Sequence, residues 1–195
     1  MTGAHPEMEK IVSSYGPPPS WRREPGFSSL VYIILEQQVS LASARAAYRK
    51  LIDTTGDLSP ESFVNLDDGE LRVIGFSRQK TGYCRGLANL ILEGKLSLDD
   101  FPRRTDEEVR EKLMSIRGIG KWTADIYLLH SLGRPDIWPA GDLALRIAYQ
   151  ETMGLDKRPS EKDLDETGKK YAPWRSVAAR ALWHSYLSKR NIVLT

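Results

Sequence analysis

The chain has 195 residues, 41% of them hydrophobic and 28% charged, with 28 Lys and Arg against 26 Asp and Glu for a net charge of +2. A chain of that length and composition buries roughly 70% of its unfolded surface, which argues against disorder as its main state. Its single cysteine, Cys84, excludes an intramolecular disulfide, a four-cysteine iron–sulfur cluster and a zinc ribbon. The longest apolar run, Leu30 to Leu35, falls far short of the ~20 residues that a spanning helix needs, and the opening MTGAHPEMEK has no apolar signal core. A soluble intracellular protein without membrane contact is expected. The near-neutral balance neither announces nor excludes a nucleic-acid binder with clustered basic residues.

Helical periodicity runs through almost the whole chain, with no strictly alternating stretch and no internal repeat. A short helix is expected around Met8 to Ser14, before Pro17-Pro18-Pro19 forces an extended connection. An apolar helix follows from Phe27 to about Gln38. Ser40 caps a second helix, Leu41 to about Thr54, and Ser59-Pro60 starts a third. Asp67 caps a short helix ending near Gly75, and Ser77 caps Arg78 to Glu93. Thr105-x-x-Glu108 is a capping box for a helix to about Ser115. An amphipathic stretch with Trp122, Ile126 and Leu129 at helical spacing comes next, then a loop from Gly133 to Gly141. Asp142 opens a helix to about Met153, stopped by Gly154. Ser160-x-x-Asp163 and Pro173 start the last two. Roughly ten helices with short links predict an all-α fold in a single domain over residues 1–195.

Two constellations carry chemistry. The first is LMSIRGIGKWTA, residues 113–124. Glycines at 118 and 120 permit a tight hairpin between two helices, and amides at the N-terminus of the second helix form a phosphate cradle. Lys121 adds a positive charge there. On the two glycines alone, an ordinary tight turn between two helices is the simpler reading. The second is Trp-Pro-Ala-Gly-Asp, residues 138–142, before LALRIAYQ. Asp142 reads as an N-cap, and capping fixes a carboxylate without forbidding it a second role.

Together, I-R-G-I-G-K-W-T-A and, about twenty residues on, G-D-L-A-L-R resemble the helix–hairpin–helix (HhH-GPD) DNA glycosylases. Ile34-Leu35-Glu36-Gln37-Gln38-Val39-Ser40, Trp122 just after the hairpin, and Pro173-Trp174-Arg175-Ser176 followed by Trp183 are similar to the 3-methyladenine DNA glycosylase II branch. The resemblance covers about residues 20–190. It implies two helical lobes with an active-site cleft between them, and residue roles follow from it. Asp142 falls on the catalytic aspartate. Gly118, Gly120 and Thr123 fall on the hairpin that holds a DNA phosphate, with Lys121 beside them facing DNA or solvent. Gln38 falls on the wedge that fills the space of a flipped base, and Gln37 lies beside it near the pocket. Trp122 and Trp183 fall on aromatic pocket walls. The backbone carbonyls of Met114, Ile116 and Ile119 fall on those that bind a monovalent cation, Na+ or K+, in some members; no other cofactor is implied. Ile126 stands where the branch has a pocket tyrosine, which implies a less aromatic pocket.

The implied activity is hydrolysis of the N-glycosidic bond of alkylated purines, of the 3-methyladenine or 7-methylguanine type, flipped out of double-stranded DNA by a monomeric enzyme. Lyase-type relatives carry a lysine at the second position after the last hairpin glycine, where this chain has Trp122. A monofunctional glycosylase without strand cleavage is therefore expected. Two alternatives stay open: a glycosylase for hypoxanthine, uracil or an oxidised purine, and a non-catalytic module that only binds DNA. Trp174 is expected to be structural, His130 and His184 to be satisfied helix residues, and Trp21 and Trp138 have no assignment. Arg22-Arg23, Arg78-Lys80-Arg85 and Lys169-Lys170 could touch phosphates, although solvated faces are the simpler reading of each.

Overall fold

The computed structural model describes residues 5–193, which contain eleven α-helices and no strand. In chain order they are α1 (Pro6–Tyr15), α2 (Phe27–Glu36), α3 (Leu41–Thr55), α4 (Pro60–Val64), α5 (Asp68–Ile74), α6 (Arg78–Leu92), α7 (Asp106–Met114), α8 (Lys121–Ile126), α9 (Leu143–Met153), α10 (Glu161–Gly168) and α11 (Arg175–Lys189). None is long and apolar enough to cross a membrane. Local signals set most boundaries. Ser40, Ser59, Asp67, Ser77, Thr105, Asp142 and Ser160 each accept the backbone N–H three residues on. Those contacts satisfy donors that a helix start otherwise leaves unpaired.

The chain divides into two compact units: Arg23–Leu132, and the segments up to Arg22 and from Gly133 onward. In the first, α2 is the core. Leu30, Val31, Ile33, Ile34 and Leu35 are buried, and α3, α6 and α8 pack around it. After α8 the chain continues as a π-helical turn, Tyr127–Ser131, whose residues are all buried. Tyr127 accepts the Gly26 N–H at 3.1 Å at the entry to α2, and burial pushes its phenol up to about 12. Helix α2 stops two residues earlier than predicted. Lys80 Nζ donates to the Leu35 carbonyl at 2.7 Å, and Gln37 is already extended. Cys84 lies fully inside this unit, and burial pushes its thiol far above the usual range.

In the second unit α11 packs against α1 and α9, and its Ala178, Ala179, Ala181 and Leu182 are buried. Its start is two residues later than Pro173 predicts. Asp136 Oδ1 accepts both the Arg175 N–H at 3.1 Å and Arg175 Nε at 2.8 Å, so an acceptor from another segment fixes the first turn. Trp174, expected to be structural, is instead 53% exposed. Trp138 proves to be the structural tryptophan. It is buried, donates to the Leu164 carbonyl at 2.9 Å, and lies so close to Gly168 that a Cβ there would overlap the indole. His184 is satisfied, with Nε2 2.9 Å from the Tyr15 carbonyl.

Helix α1 is tied in by Glu7, whose Oε1 accepts from Lys170 Nζ at 2.7 Å and from the Tyr171 hydroxyl at 2.8 Å. Partial desolvation raises the carboxyl's pKa. The hydrogen bonds from Lys170, its own backbone and Tyr171, with the Lys170 charge, outweigh it and hold the group at about 2. A carboxyl depressed in the folded state stabilises above its unfolded value of 4.5 and loses that contribution as the pH falls toward 2. Thermal melts of the wild type should therefore drop between pH 4.5 and 2 by more than those of Glu7→Gln, with the two curves converging at the acid end.

Candidate functional site

The hairpin between α7 and α8 is built by alternation. Ile116 and Ile119 are buried and pin the turn to the core of the first unit, while Arg117 and Gly120 stay exposed. Gly118 has φ +92°, and its Cα lies against the face of Tyr83 so closely that any Cβ would enter the ring. Both backbone and space therefore demand glycine there. Gly120 is the N-cap of α8 and brings no side chain to it.

Gln37, expected near the pocket, is engaged with this hairpin. Its Nε2 donates to the Gly118 carbonyl at 2.9 Å and to Thr123 Oγ1 at 3.0 Å. Thr123 is correspondingly 2% exposed, so its side chain shapes the hairpin from within and does not face a ligand. Gln38 turns the chain outward. It is exposed at φ +56°, a left-handed conformation costing a non-glycine residue about 1 kcal/mol, and Val39 beside it is also exposed. Glu36 is held by a two-pronged pair with Arg23, at 2.7 and 3.1 Å.

Lys121, expected to face DNA or solvent, is half exposed but tied. Its Nζ donates to Asp125 Oδ2 at 2.7 Å, while Arg110 Nε donates to Oδ1 at 2.9 Å. Asp125 is 1% exposed, and a carboxylate that deep requires such partners. Sequence reasoning missed it, because an i,i+4 pair on α8 does not reveal that one member is buried. Trp122 is half-buried, and Ile126 is in the core.

In the second unit Asp142 caps α9. Its Oδ1 accepts the Leu145 N–H at 2.7 Å and also Trp183 Nε1 from α11 at 2.9 Å. Trp183 is buried, and its polar edge meets the aspartate, a contact the pocket-wall assignment does not contain.

The basic clusters separate. Lys80 is on the Leu35 carbonyl, Arg85 on the Leu66 carbonyl and Asp68, Lys169 on Glu166 and Lys170 on Glu7. Arg78 differs. With Gln79, Gly82, Tyr83 and Arg117 it lines a recess of about 450 Å³ that adjoins Gly118. Arg117 was legible as part of the hairpin motif, but its pairing with Arg78 was not. No cluster of three or more His, Cys, Asp or Glu able to hold a metal ion occurs among the described residues. The Ile116 carbonyl accepts the Ile119 N–H at 3.1 Å.

Residues 31–173 match the family model of the HhH-GPD superfamily of base excision DNA repair proteins. A Schizosaccharomyces pombe relative, DNA-3-methyladenine glycosylase 1, is 31% identical over 180 residues, covering 90% of this chain and 79% of that one. A Bacillus subtilis relative with a provisional DNA-3-methyladenine glycosylase name is 32% identical over 167 residues. That match covers 82% of this chain but 58% of the relative, so the chain spans less than three fifths of its length. Among solved structures, the Schizosaccharomyces pombe 3-methyladenine DNA glycosylase in complex with abasic DNA aligns with a TM-score of 0.84 at 29% identity, over 92% of this chain and 89% of that one. A DNA-3-methyladenine glycosidase from Bacillus halodurans aligns with a TM-score of 0.77 at 29% identity, over 97% and 88%.

The Gln37 clamp has a direct consequence. Gln37→Leu strands a carbonyl and a hydroxyl in a partly buried turn, which costs about 1–3 kcal/mol. A fall in Tm of roughly 2–10 °C is expected, with faster amide hydrogen exchange over residues 115–123 than over α3.

Proposed function

This chain belongs to the HhH-GPD superfamily of base excision DNA repair proteins, and on that premise we propose that it is a monofunctional DNA glycosylase acting inside the cell, as a monomer, on alkylated purines in double-stranded DNA. The observation that carries the reading is Asp142, a helix-capping carboxylate whose orientation is set from two sides. In hydrolysis of the glycosidic bond the C1′–N bond breaks, water oxygen bonds to C1′, and the sugar passes through a cationic state. The Asp142 carboxylate stabilises that charge and takes part in orienting or deprotonating the water. A 3-methyladenine or 7-methylguanine base carries positive charge and leaves as a neutral purine, so little acid catalysis is needed. Trp122 offers an indole to such a base, a cation–π attraction of up to about 2 kcal/mol when desolvated.

The hairpin of Gly118 and Gly120 holds the backbone, and Gln38 fills the space of the extruded nucleotide. Arg78 and Arg117 extend the phosphate contacts through their recess. Lys121 favours hydrolysis over strand cleavage. An ammonium paired with Asp125 at 2.7 Å is a poor nucleophile, and Trp122 occupies the position that lyase-type chemistry requires. The carbonyls of Met114, Ile116 and Ile119 are neutral oxygen donors of the kind that suits Na+ or K+. The Ile116 oxygen retains a second lone pair beyond its bond to Ile119. Such an ion would add positive potential beside the phosphate.

A panel of duplexes with single defined lesions tests this reading. Strand breaks that appear only after alkali are expected for alkylated purines. Asp142→Asn should lower base release at least about 100-fold while leaving DNA affinity within about threefold. A protein that releases no base from any duplex is a binding module. Separately, Arg78→Ala combined with Arg117→Ala should weaken binding to damaged and undamaged DNA alike, and should flatten log K against log salt by about 2.

A further inference from the structure

Two donors of different origin converge on Oδ1 of Asp142. The Leu145 N–H, at 2.7 Å, is the bond any capping aspartate makes; Asp67 makes the same bond to Glu70 N at 2.8 Å. The Trp183 Nε1–H, at 2.9 Å, comes from another helix, 41 residues along the chain. A single cap bond restrains the carboxylate but tolerates some rotation about Cβ–Cγ before the contact with Oδ1 is lost. A second donor from another direction narrows that range. Trp183 is suited to this: it is only 8% exposed, and its helix α11 packs against α9, the helix that Asp142 caps.

The type of donor matters as much as its position. An indole N–H gives one hydrogen bond, accepts none and carries no charge. An arginine or lysine at the same place would also orient Asp142, but its charge would oppose the stabilisation of a developing cation. A neutral donor orients the carboxylate and leaves its negative charge for the sugar.

We propose that Trp183 is a positioning residue for Asp142, its Nε1–H holding the carboxylate in the orientation that base release requires. The proposal rests on the reading of Asp142 as the catalytic carboxylate. It assigns Trp183 a task different from that of a wall stacked on the base, and the two tasks make different predictions. A wall acts through the face of the ring and favours cationic bases. A positioning donor acts through one N–H and affects all bases alike.

The test removes the N–H and keeps the ring. Trp183→benzothienylalanine, introduced by a non-natural amino acid, puts sulfur where the N–H was at almost unchanged shape; Trp183→Phe is the ordinary genetic counterpart. Base release is measured under single turnover with every lesion that the wild type excises, alongside DNA affinity and Tm. The expected result is a rate about 10–100-fold lower by a similar factor for cationic and neutral bases, with DNA affinity unchanged and the Tm of the benzothienyl variant within a few degrees. A wild-type rate in the benzothienyl variant overturns the proposal, as does a loss confined to cationic bases. A wild type that releases no base, or an Asp142→Asn variant as active as the wild type, overturns the underlying reading of Asp142 instead.

Discussion

Helix α2 buries Leu30, Val31, Ile33, Ile34 and Leu35 and leaves Tyr32 between them half-buried, and the first unit is organised by the need to enclose these aliphatic side chains. Burying each of those aliphatic side chains contributes about 1.5–3 kcal/mol, which no amphipathic arrangement on a surface could match. Enclosure by α3, α6 and α8 fixes where α2 ends, and the three residues at that end become three devices. Glu36 is gripped by Arg23, Gln37 braces the hairpin, and Gln38 is thrown outward by a left-handed backbone. The hairpin therefore owes its shape to a helix more than eighty residues earlier in the chain, as much as to its own glycines.

A second theme is the use of basic residues inside the protein. The net charge is only +2, and many of the cations are engaged within the protein. Lys80 closes the C-terminal end of α2, Arg23 neutralises Glu36, and Lys121 with Arg110 compensates the buried Asp125. Arg78 and Arg117 share a recess beside the hairpin instead. Those two guanidiniums put positive potential beside the Gly118 turn.

The helices were legible in the sequence because their signals are local. A serine, threonine or aspartate with its partner three residues on is read without knowledge of the fold, and the caps at Ser40, Ser59, Asp67, Ser77, Thr105, Asp142 and Ser160 all form. The boundaries that shifted are those set from afar. Asp136 moves the start of α11, and Lys80 trims the end of α2. The site shows the same division. Gly118, Gly120 and Asp142 announce themselves by motif, but the side chains that tune them do not. Tyr83 covering Gly118, Gln37 reaching Thr123, and Trp183 reaching Asp142 are contacts between residues 35 or more positions apart, with no periodicity to betray them. Trp138 and Trp174 illustrate the same point in reverse. One indole is buried against Gly168 and the other half in solvent, and composition alone treats them as equals.

The sealed position of Cys84 bears on how the chain meets alkylating electrophiles. Electrophiles that methylate purine nitrogens attack thiolates more readily still, because sulfur is the softer nucleophile. With its one sulfhydryl enclosed in the core of the first unit and kept protonated by burial, the chain offers these reagents no thiolate. Burial thus shields this group from such electrophiles.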